Sequence, residues 1–286
     1  MKKVKIKIPA KINLTLDVAE VKEGFHEIKS LVCSIDIFDE ITIKRRKDWD
    51  VNLKMRGIDA MCSVQQNNAY RAGKLFSDHF ITEGVDITIN KKIPVGAGLG
   101  GSSADVAGVL NGMKELFKVE EELDELANKL GSDCAYMLKG GWAVISGKGE
   151  KVKYNKLDKK LYLIIITEEQ GVSSKEAYEK FDALKKKPKP CTDKVFKHLA
   201  ENEFEKAFAL AKNDLYPASL TFVQQMDFNV KALKKVGANL ALMTGSGSSV
   251  VGVFLSEADR DKAYKTLKAL FKGQILKANT LESGVK

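Results

Sequence analysis

The residues best suited to chemistry lie in the run Ile93-Pro94-Val95-Gly96-Ala97-Gly98-Leu99-Gly100-Gly101-Ser102-Ser103-Ala104-Asp105. Glycine lets a backbone take positive φ and approach a ligand closely. A helix start leaves free N–H groups at a positive dipole end. The strand-like Asp86-Ile87-Thr88-Ile89 precedes the run and a helical pattern follows it, an order that suits a phosphate site. Ser102 or Ser103 can cap the helix and also face phosphate or a magnesium ion. The plain alternative is a glycine-rich turn ending in an N-cap, but the run is long and glycine-dense for that. There is no GxxxxGK[ST] loop, and a GxGxxG reading of residues 96–101 has the wrong third spacing and no βαβ frame.

Four other places carry candidate chemistry: Lys11 in Pro9-Ala10-Lys11-Ile12-Asn13, His26 in Gly24-Phe25-His26-Glu27-Ile28, Asp133 after Gly131-Ser132, and the loop Thr244-Gly245-Ser246-Gly247-Ser248-Ser249. Each also has an ordinary structural explanation. Lys11 fits a solvated charge on an alternating strand, and His26 a surface or packed histidine. Asp133 fits a helix N-cap and residues 245–249 a hairpin turn.

Hydrophobic periodicity supplies the elements that must position these residues. Val4, Ile6, Ile8, then Ile12, Leu14, Leu16 and Val18 alternate as an opening strand. Further strands are expected at 33–37, 40–44, 51–55, 85–90, 161–167, 238–243 and 249–255. Helices are expected at 68–80, 103–117 (Val106, Leu110, Met113, Phe117), 121–130, 192–200, 203–212, 218–236 and 257–271. The Lys/Pro-rich stretch 184–190 reads as a loop. Strands and helices do not alternate regularly, which favours α+β over a doubly wound sheet. The 286-residue length suggests two lobes, 1–155 and 156–286, with the boundary near 152–160.

Bulk properties exclude several classes. No apolar run approaches the roughly 20 residues that span a bilayer. The N-terminal lysines alternate with Val4, Ile6 and Ile8 rather than preceding an apolar core, so a first strand is expected and no export. Cys33, Cys62, Cys134 and Cys191 form no CxxC pair, which implies reduced thiols and a cytoplasmic protein. The net charge of +9 is compatible with an anionic substrate, yet much of the lysine sits in runs such as Lys185-Lys186-Lys187 and Lys234-Lys235, with no basic stripe interleaved with aromatics. Nucleic-acid and membrane partners are therefore not expected.

Residues 94–105 closely resemble the second motif of the GHMP kinases, P-x-G-x-G-L-G-S-S-A, and the doubled Gly100-Gly101 resembles the branch that phosphorylates 4-diphosphocytidyl-2-C-methyl-D-erythritol, which reads GAGLGGGSSDAA. Aligned without a gap, Ser102 takes the third glycine, Ala104 the second serine, and Asp105 the family aspartate. Residues 9–18 are similar to the first motif of that branch, and Gly24-Phe25-His26-Glu27-Ile28 to its G-Y-H-x-L. Residues 242–250 resemble the third motif. Gly131-Ser132-Asp133 matches G-S-D-V-P-F-F, with Cys134-Ala135 replacing Val-Pro. Gly140-Gly141-Trp142-Ala143 and Gly147-Lys148-Gly149-Glu150 match GGTA…GxGE, and Val172-Ser173-Ser174…Tyr178 resembles V-S-T-P-x-x-Y with Lys175 for proline. The resemblance covers nearly the whole chain.

What it implies is a two-lobe GHMP kinase fold, with a nucleotide-binding N-terminal lobe and a ferredoxin-like C-terminal lobe. It implies ATP and Mg2+, with Pro94, Gly96, Gly98, Leu99, Gly100, Gly101, Ser102 and Ser103 around the phosphates and Ser103 as a magnesium ligand. Asp133 is then the catalytic base, and Lys11 offsets charge on the transferring phosphoryl. Asn13, Phe25, His26, Ser174, Tyr178, Gly245, Ser246 and Gly247 bind the acceptor. Phe25 and His26 are the residues that recognise cytosine, Phe25 keeping a stacking face without a phenol hydroxyl. The partners are ATP and a cytidine diphosphate substrate, and the protein is a monomer or weak homodimer. The alternatives are another GHMP kinase of homoserine or mevalonate type, a diphosphate decarboxylase on the same fold, and a non-catalytic ligand-sensing member. The intact Lys11, Asp133 and glycine loop argue against the last.

Overall fold

In β1 (Lys3–Asn13) Ile6 and Ile8 are buried while Lys5 and Lys7 face solvent, as period-two alternation requires. From Ile8 onward every residue of the strand is buried. This is a computed structural model, and it describes residues 3–22, 24–57, 63–157, 159–184, 188–271, 273–282 and 284–285. Cys62 and the run 185–187 lie outside the described residues.

The partner of β1 is β3 (Phe25–Arg45), a single 21-residue strand rather than the two expected at 33–37 and 40–44. The irregularity lies within β3, where the register moves from Pro9↔Phe38 to Ala10↔Ile35 and leaves Asp36 and Ile37 without partners on β1. Asp39 ends no strand because its buried carboxylate is satisfied, accepting from the Lys92 and Ile93 backbones at 2.6 and 2.9 Å. The opening alternation is likewise divided, with β2 (Asp17–Lys22) forming a separate hairpin arm on β3.

Among the described residues the first sheet has seven strands. Its order is β4 (Val51–Arg56), β5 (Val85–Asn90), β3, β6 (Trp142–Gly147), β7 (Lys151–Tyr154), with β1 and β2 also paired to β3. The parallel β4–β5 pair is joined through α1 (Asn68–Phe80). On this sheet lies α2 (Gly101–Phe117), followed by α3 (Asp124–Asn128) and α4 (Cys134–Lys139). Val106, Leu110 and Met113 of α2 are buried. The close approach of α2 requires small residues: a Cβ on Gly108 would stand 2.3 Å from Ile41 Cδ1.

The second sheet runs β11 (Gln274–Asn279), β8 (Tyr162–Thr167), β10 (Val250–Phe254), β9 (Leu240–Met243), all antiparallel. Between β8 and β9 come α5 (Ser174–Asp182), α6 (Thr192–Ala200), α7 (Phe204–Leu210), α8 (Tyr216–Ser219) and α9 (Gln225–Lys235), and α10 (Glu257–Leu270) joins β10 to β11. With first, second, third and fourth strands ordered 4-1-3-2, this is a ferredoxin-like layout elaborated by extra helices. The helix expected over 218–236 is broken: Thr221 hydrogen-bonds the Ala218 carbonyl through both its backbone and its hydroxyl, and β-branched Thr221 and Val223 favour the turn. The architecture is the α+β class expected. One hydrophobic cluster runs from the first sheet into the second, joining Ile8, Ile41 and Leu110 to Leu163, Ile165, Val251 and Val253. Cys33, Cys134 and Cys191 are buried free thiols, and no described helix is long and apolar enough to cross a membrane.

Candidate active site

Glycine contacts bring three distant loops together. Gly98 has φ +74°, and a Cβ there would lie 2.3 Å from the Thr244 carbonyl oxygen. In return, a Cβ on Gly245 would lie 2.7 Å from the Gly98 oxygen, and one on Gly171 the same distance from the Gly96 oxygen. The glycine loop, the 244–249 loop and the start of the 171–174 segment thus meet backbone to backbone. The Lys11 amide donates to the Leu99 carbonyl at 3.0 Å and the Ser249 amide to the Ala97 carbonyl at 3.3 Å, which ties the glycine loop to β1 and β10.

These loops open on a cavity of about 1000 Å³. Every residue expected to act on nucleotide or acceptor lines it except Gly247, which packs against Met243 and Met226 behind the loop. Midway along the cavity, Lys11 Nζ lies 3.1 Å from Asp133 Oδ2 and donates to Asn13 Oδ1 at 2.7 Å. Lys11 is buried while Asp133 is partly open to the cavity. The Asn13 amide has little left for a ligand: its oxygen also accepts from the Gly245 amide at 3.1 Å and its nitrogen donates to Ser30 Oγ at 2.7 Å. It acts as a bracket between Lys11 and the 244–249 loop. Asp133 is the residue before α4, yet its carboxylate makes no capping bond to that helix.

The two serines of the glycine run face different ways. Ser102 is exposed and accepts from Asn68 Nδ2 at 3.3 Å. Ser103 lies on the Asp133 side against Cys134, whose thiol burial pushes up to about 11 while the Ser103 hydroxyl draws it back. The hydroxyl of Ser103 and the carboxylate of Asp133 are hard oxygen donors of the kind magnesium takes, so the residues present fit that ion.

Beside the loop sits a charge cluster in which the motif residue Asp105 meets two residues outside any motif, Lys91 and Asp39. Lys91 Nζ donates to Asp39 Oδ2 at 2.6 Å, Asp105 Oδ2 at 2.7 Å and the Gly101 carbonyl at 2.9 Å. Burial pushes the Asp105 carboxyl up to about 7, with Lys91 opposing and Asp39 reinforcing the rise. Asn213 was also missed; it holds the 244–249 loop by donating to the Met243 and Gly245 carbonyls at 3.0 and 2.8 Å. No local pattern marks Lys91, Asp39 or Asn213, since their partners are distant in sequence.

At the far end Phe25 is 56% exposed, with Lys148 Nζ 3.8 Å from its ring centroid. The His26 ring stacks on Tyr178, and Ser174 Oγ meets Ser246 Oγ at 3.1 Å. Burial raises the Tyr178 phenol far above its ordinary value, with Asp133 adding to the rise. A phosphate-suited loop, a lysine–aspartate pair and an aromatic group therefore line one cavity.

Residues 67–146 match the GHMP kinases N terminal domain and residues 206–273 the GHMP kinases C terminal family. The chain is 33% identical over 267 residues to the 4-diphosphocytidyl-2-C-methyl-D-erythritol kinase of Bacillus pumilus (strain SAFR-032), covering 92% of each. It is 33% identical over 276 residues to the protein of the same name from Clostridium tetani (strain Massachusetts / E88), covering 94% of this chain and 97% of that one. A crystal structure of 4-(cytidine 5'-diphospho)-2C-methyl-D-erythritol kinase matches with a TM-score of 0.81 at 26% identity, over 97% of this chain and 99% of that one. A homoserine kinase from Cytophaga hutchinsonii shares the fold, with a TM-score of 0.78 at 20% identity over 100% and 97% of the two chains.

Proposed function

The chain belongs to the 4-diphosphocytidyl-2-C-methyl-D-erythritol kinase family of GHMP kinases, and from that premise we propose how its residues carry out the reaction. It is an ATP-dependent kinase that phosphorylates the 2-hydroxyl of 4-diphosphocytidyl-2-C-methyl-D-erythritol, a step of non-mevalonate isoprenoid precursor synthesis. The observation that carries the residue assignment is the Lys11–Asp133 pair, 3.1 Å apart, in the cavity that the glycine loop and Phe25, His26 and Tyr178 also line.

Phosphoryl transfer needs positioning, charge neutralisation and an oriented nucleophile. The glycine loop 96–101 and the first turn of α2 cradle the phosphates with backbone N–H groups. Asp133 orients the acceptor hydroxyl and takes its proton, while the Lys11 ammonium stabilises the charge developing on the transferring phosphoryl. Magnesium, when bound near Ser103, neutralises phosphate charge. Phe25 provides the stacking face for the cytosine. We divide the lobes at residues 155 and 156, place the protein in the cytoplasm, and take it to act as a monomer or weak homodimer.

The test is to mix purified protein with ATP, magnesium and a panel of alcohols and ask which releases ADP. The cytidine diphosphate compound should, and Asp133→Asn should lower its kcat by at least roughly 10²-fold with ATP affinity nearly unchanged. Asp133→Asn retaining a tenth of wild-type kcat overturns the base assignment. Efficient turnover of homoserine or mevalonate alone overturns the substrate.

A further inference from the structure

Asn213 is buried in the connection between α7 and α8, and the mechanism above does not use it. Both of its amide hydrogens are taken: Nδ2 donates to the Met243 carbonyl at 3.0 Å and the Gly245 carbonyl at 2.8 Å. Oδ1 accepts from the Leu215 amide at 3.0 Å. Only this orientation of the side chain works, because a carbonyl accepts and an N–H donates. The two carbonyls flank the peptide between Thr244 and Gly245, and Asn13 holds that same peptide. The Gly245 amide donates to Asn13 Oδ1 at 3.1 Å, and the Asn13 amide donates to Thr244 Oγ1 at 2.8 Å. Lys11 Nζ, 3.1 Å from Asp133 Oδ2, donates to that Asn13 oxygen at 2.7 Å. The contacts close into a ring. Just past Asn13, the Leu16 amide donates to the Lys212 carbonyl at 3.0 Å and the Asp214 amide to the Leu16 carbonyl at 2.8 Å, which fixes Asn213 to the end of β1.

We propose that Asn213 is a positioning residue for phosphoryl transfer: by gripping the backbone at 243 and 245 it sets the Gly245 amide, which through Asn13 holds the Lys11 ammonium beside Asp133. A lysine ammonium is a point charge on a flexible stem, so its place depends on what it is tied to. Asn13 Oδ1 is that tie. Its direction is set by the Gly245 amide and by donation from Asn13 Nδ2 to Ser30 Oγ at 2.7 Å. Removing the Asn213 donors strands two carbonyls, and the loop must turn to satisfy them. A shift of about 1 Å far from the chemistry can cost about 10²-fold in rate. The loss belongs to kcat, since the phosphates are cradled by the 96–101 loop. The inference rests on the kinase reading above and adds a residue of the second lobe that acts through Lys11.

Asn213→Asp is nearly isosteric, keeps the oxygen that the Leu215 amide needs and removes both donors. With ATP and the cytidine diphosphate acceptor it should lower kcat by about 10–100-fold, with KM for both substrates nearly unchanged. The decisive measurement is a cycle with Lys11→Met. A residue acting through Lys11 has little left to do once Lys11 is gone, so in that background Asn213→Asp should lower the residual single-turnover rate by less than about threefold. Additive losses would show that Asn213 acts elsewhere, and a raised KM for ATP at wild-type kcat would make it a support for binding alone. Either overturns the proposal, as does a wild-type kcat in Asn213→Asp. Asn213→Ser keeps one donor and should fall between; it replaces Asn213→Asp in the cycle should the latter fail to fold. A wild type that phosphorylates only another alcohol defeats the substrate reading, and the same cycle run on that alcohol decides. A wild type that phosphorylates none defeats the kinase reading instead. Hydrogen exchange then still tests the clamp: the Gly245 amide should exchange at least about tenfold faster in Asn213→Asp, and unchanged exchange overturns it.

Discussion

The Asp105 carboxyl ties acidity to stability. Its pKa rises from 3.8 to about 7, chiefly through burial. The unfolded chain therefore loses this proton first as pH rises. The group's contribution to stability is full below about pH 4 and is lost as pH climbs through 7. Asp105→Asn cannot ionise and still offers an oxygen to Lys91, so relative to wild type it should gain stability between pH 4.5 and pH 8, by a few kcal/mol at most. Urea midpoints at the two pH values check this, and an identical pH response in both proteins would contradict it. Phe25 makes a separate prediction. Stacking of a base on an aromatic ring is worth about 1–3 kcal/mol, so Phe25→Ala should raise KM for the cytidine acceptor roughly 5–150-fold while KM for ATP barely moves. Equal loss for both substrates would point to a folding defect.

The glycine loop is where element geometry and function meet. At Gly98 a left-handed backbone and a carbonyl 2.3 Å from any added Cβ leave no room for a side chain. Gly98→Val should cost about 1–3 kcal/mol of stability and weaken ATP binding by more than about tenfold. Calorimetry on protein shown folded by circular dichroism decides, and wild-type affinity would take this loop away from the nucleotide. Elements with strong periodicity or a clear start signal were legible: α1, α6 and β5 span the residues expected, Asn67 capping α1 through the Ala69 amide. Elements without such signals were not. α4, α5, β2, β6, β7 and β11 are short pieces whose form is decided by what they pack against, as β11 is by pairing with β8. The same division runs through the site. Lys11, Asp133 and the glycine loop stand in contiguous motifs, whereas Asp39 meets Lys91 across 52 positions and His26 meets Asp182 across 156. Such pairs exist only once the topology has formed.

At the scale of the whole molecule, one hydrophobic cluster is shared by both sheets, while a second packs Ile164, Ile166, Val250 and Phe254 of the second sheet against its helices. Unfolding should be one cooperative transition, with circular dichroism and the fluorescence of buried Trp142 changing together; two separated midpoints would show that the lobes unfold independently. Asp17 strengthens the union, its carboxylate accepting from the Cys191 and Thr192 amides at 2.9 Å each. Asp17→Ala strands both donors and should cost about 2–5 kcal/mol by urea denaturation, with a loss under 1 kcal/mol marking the link as dispensable. The backbone contacts among Gly96, Gly98, Gly171 and Gly245 reach beyond a single chain. A side chain added to one of these loops pushes on another, so the three stretches are constrained to drift together over evolutionary time. Grafting the 244–249 loop alone from a distant relative would import a surface shaped for someone else's glycine run, and an active chimera should require the 93–103 and 171–174 segments from the same donor.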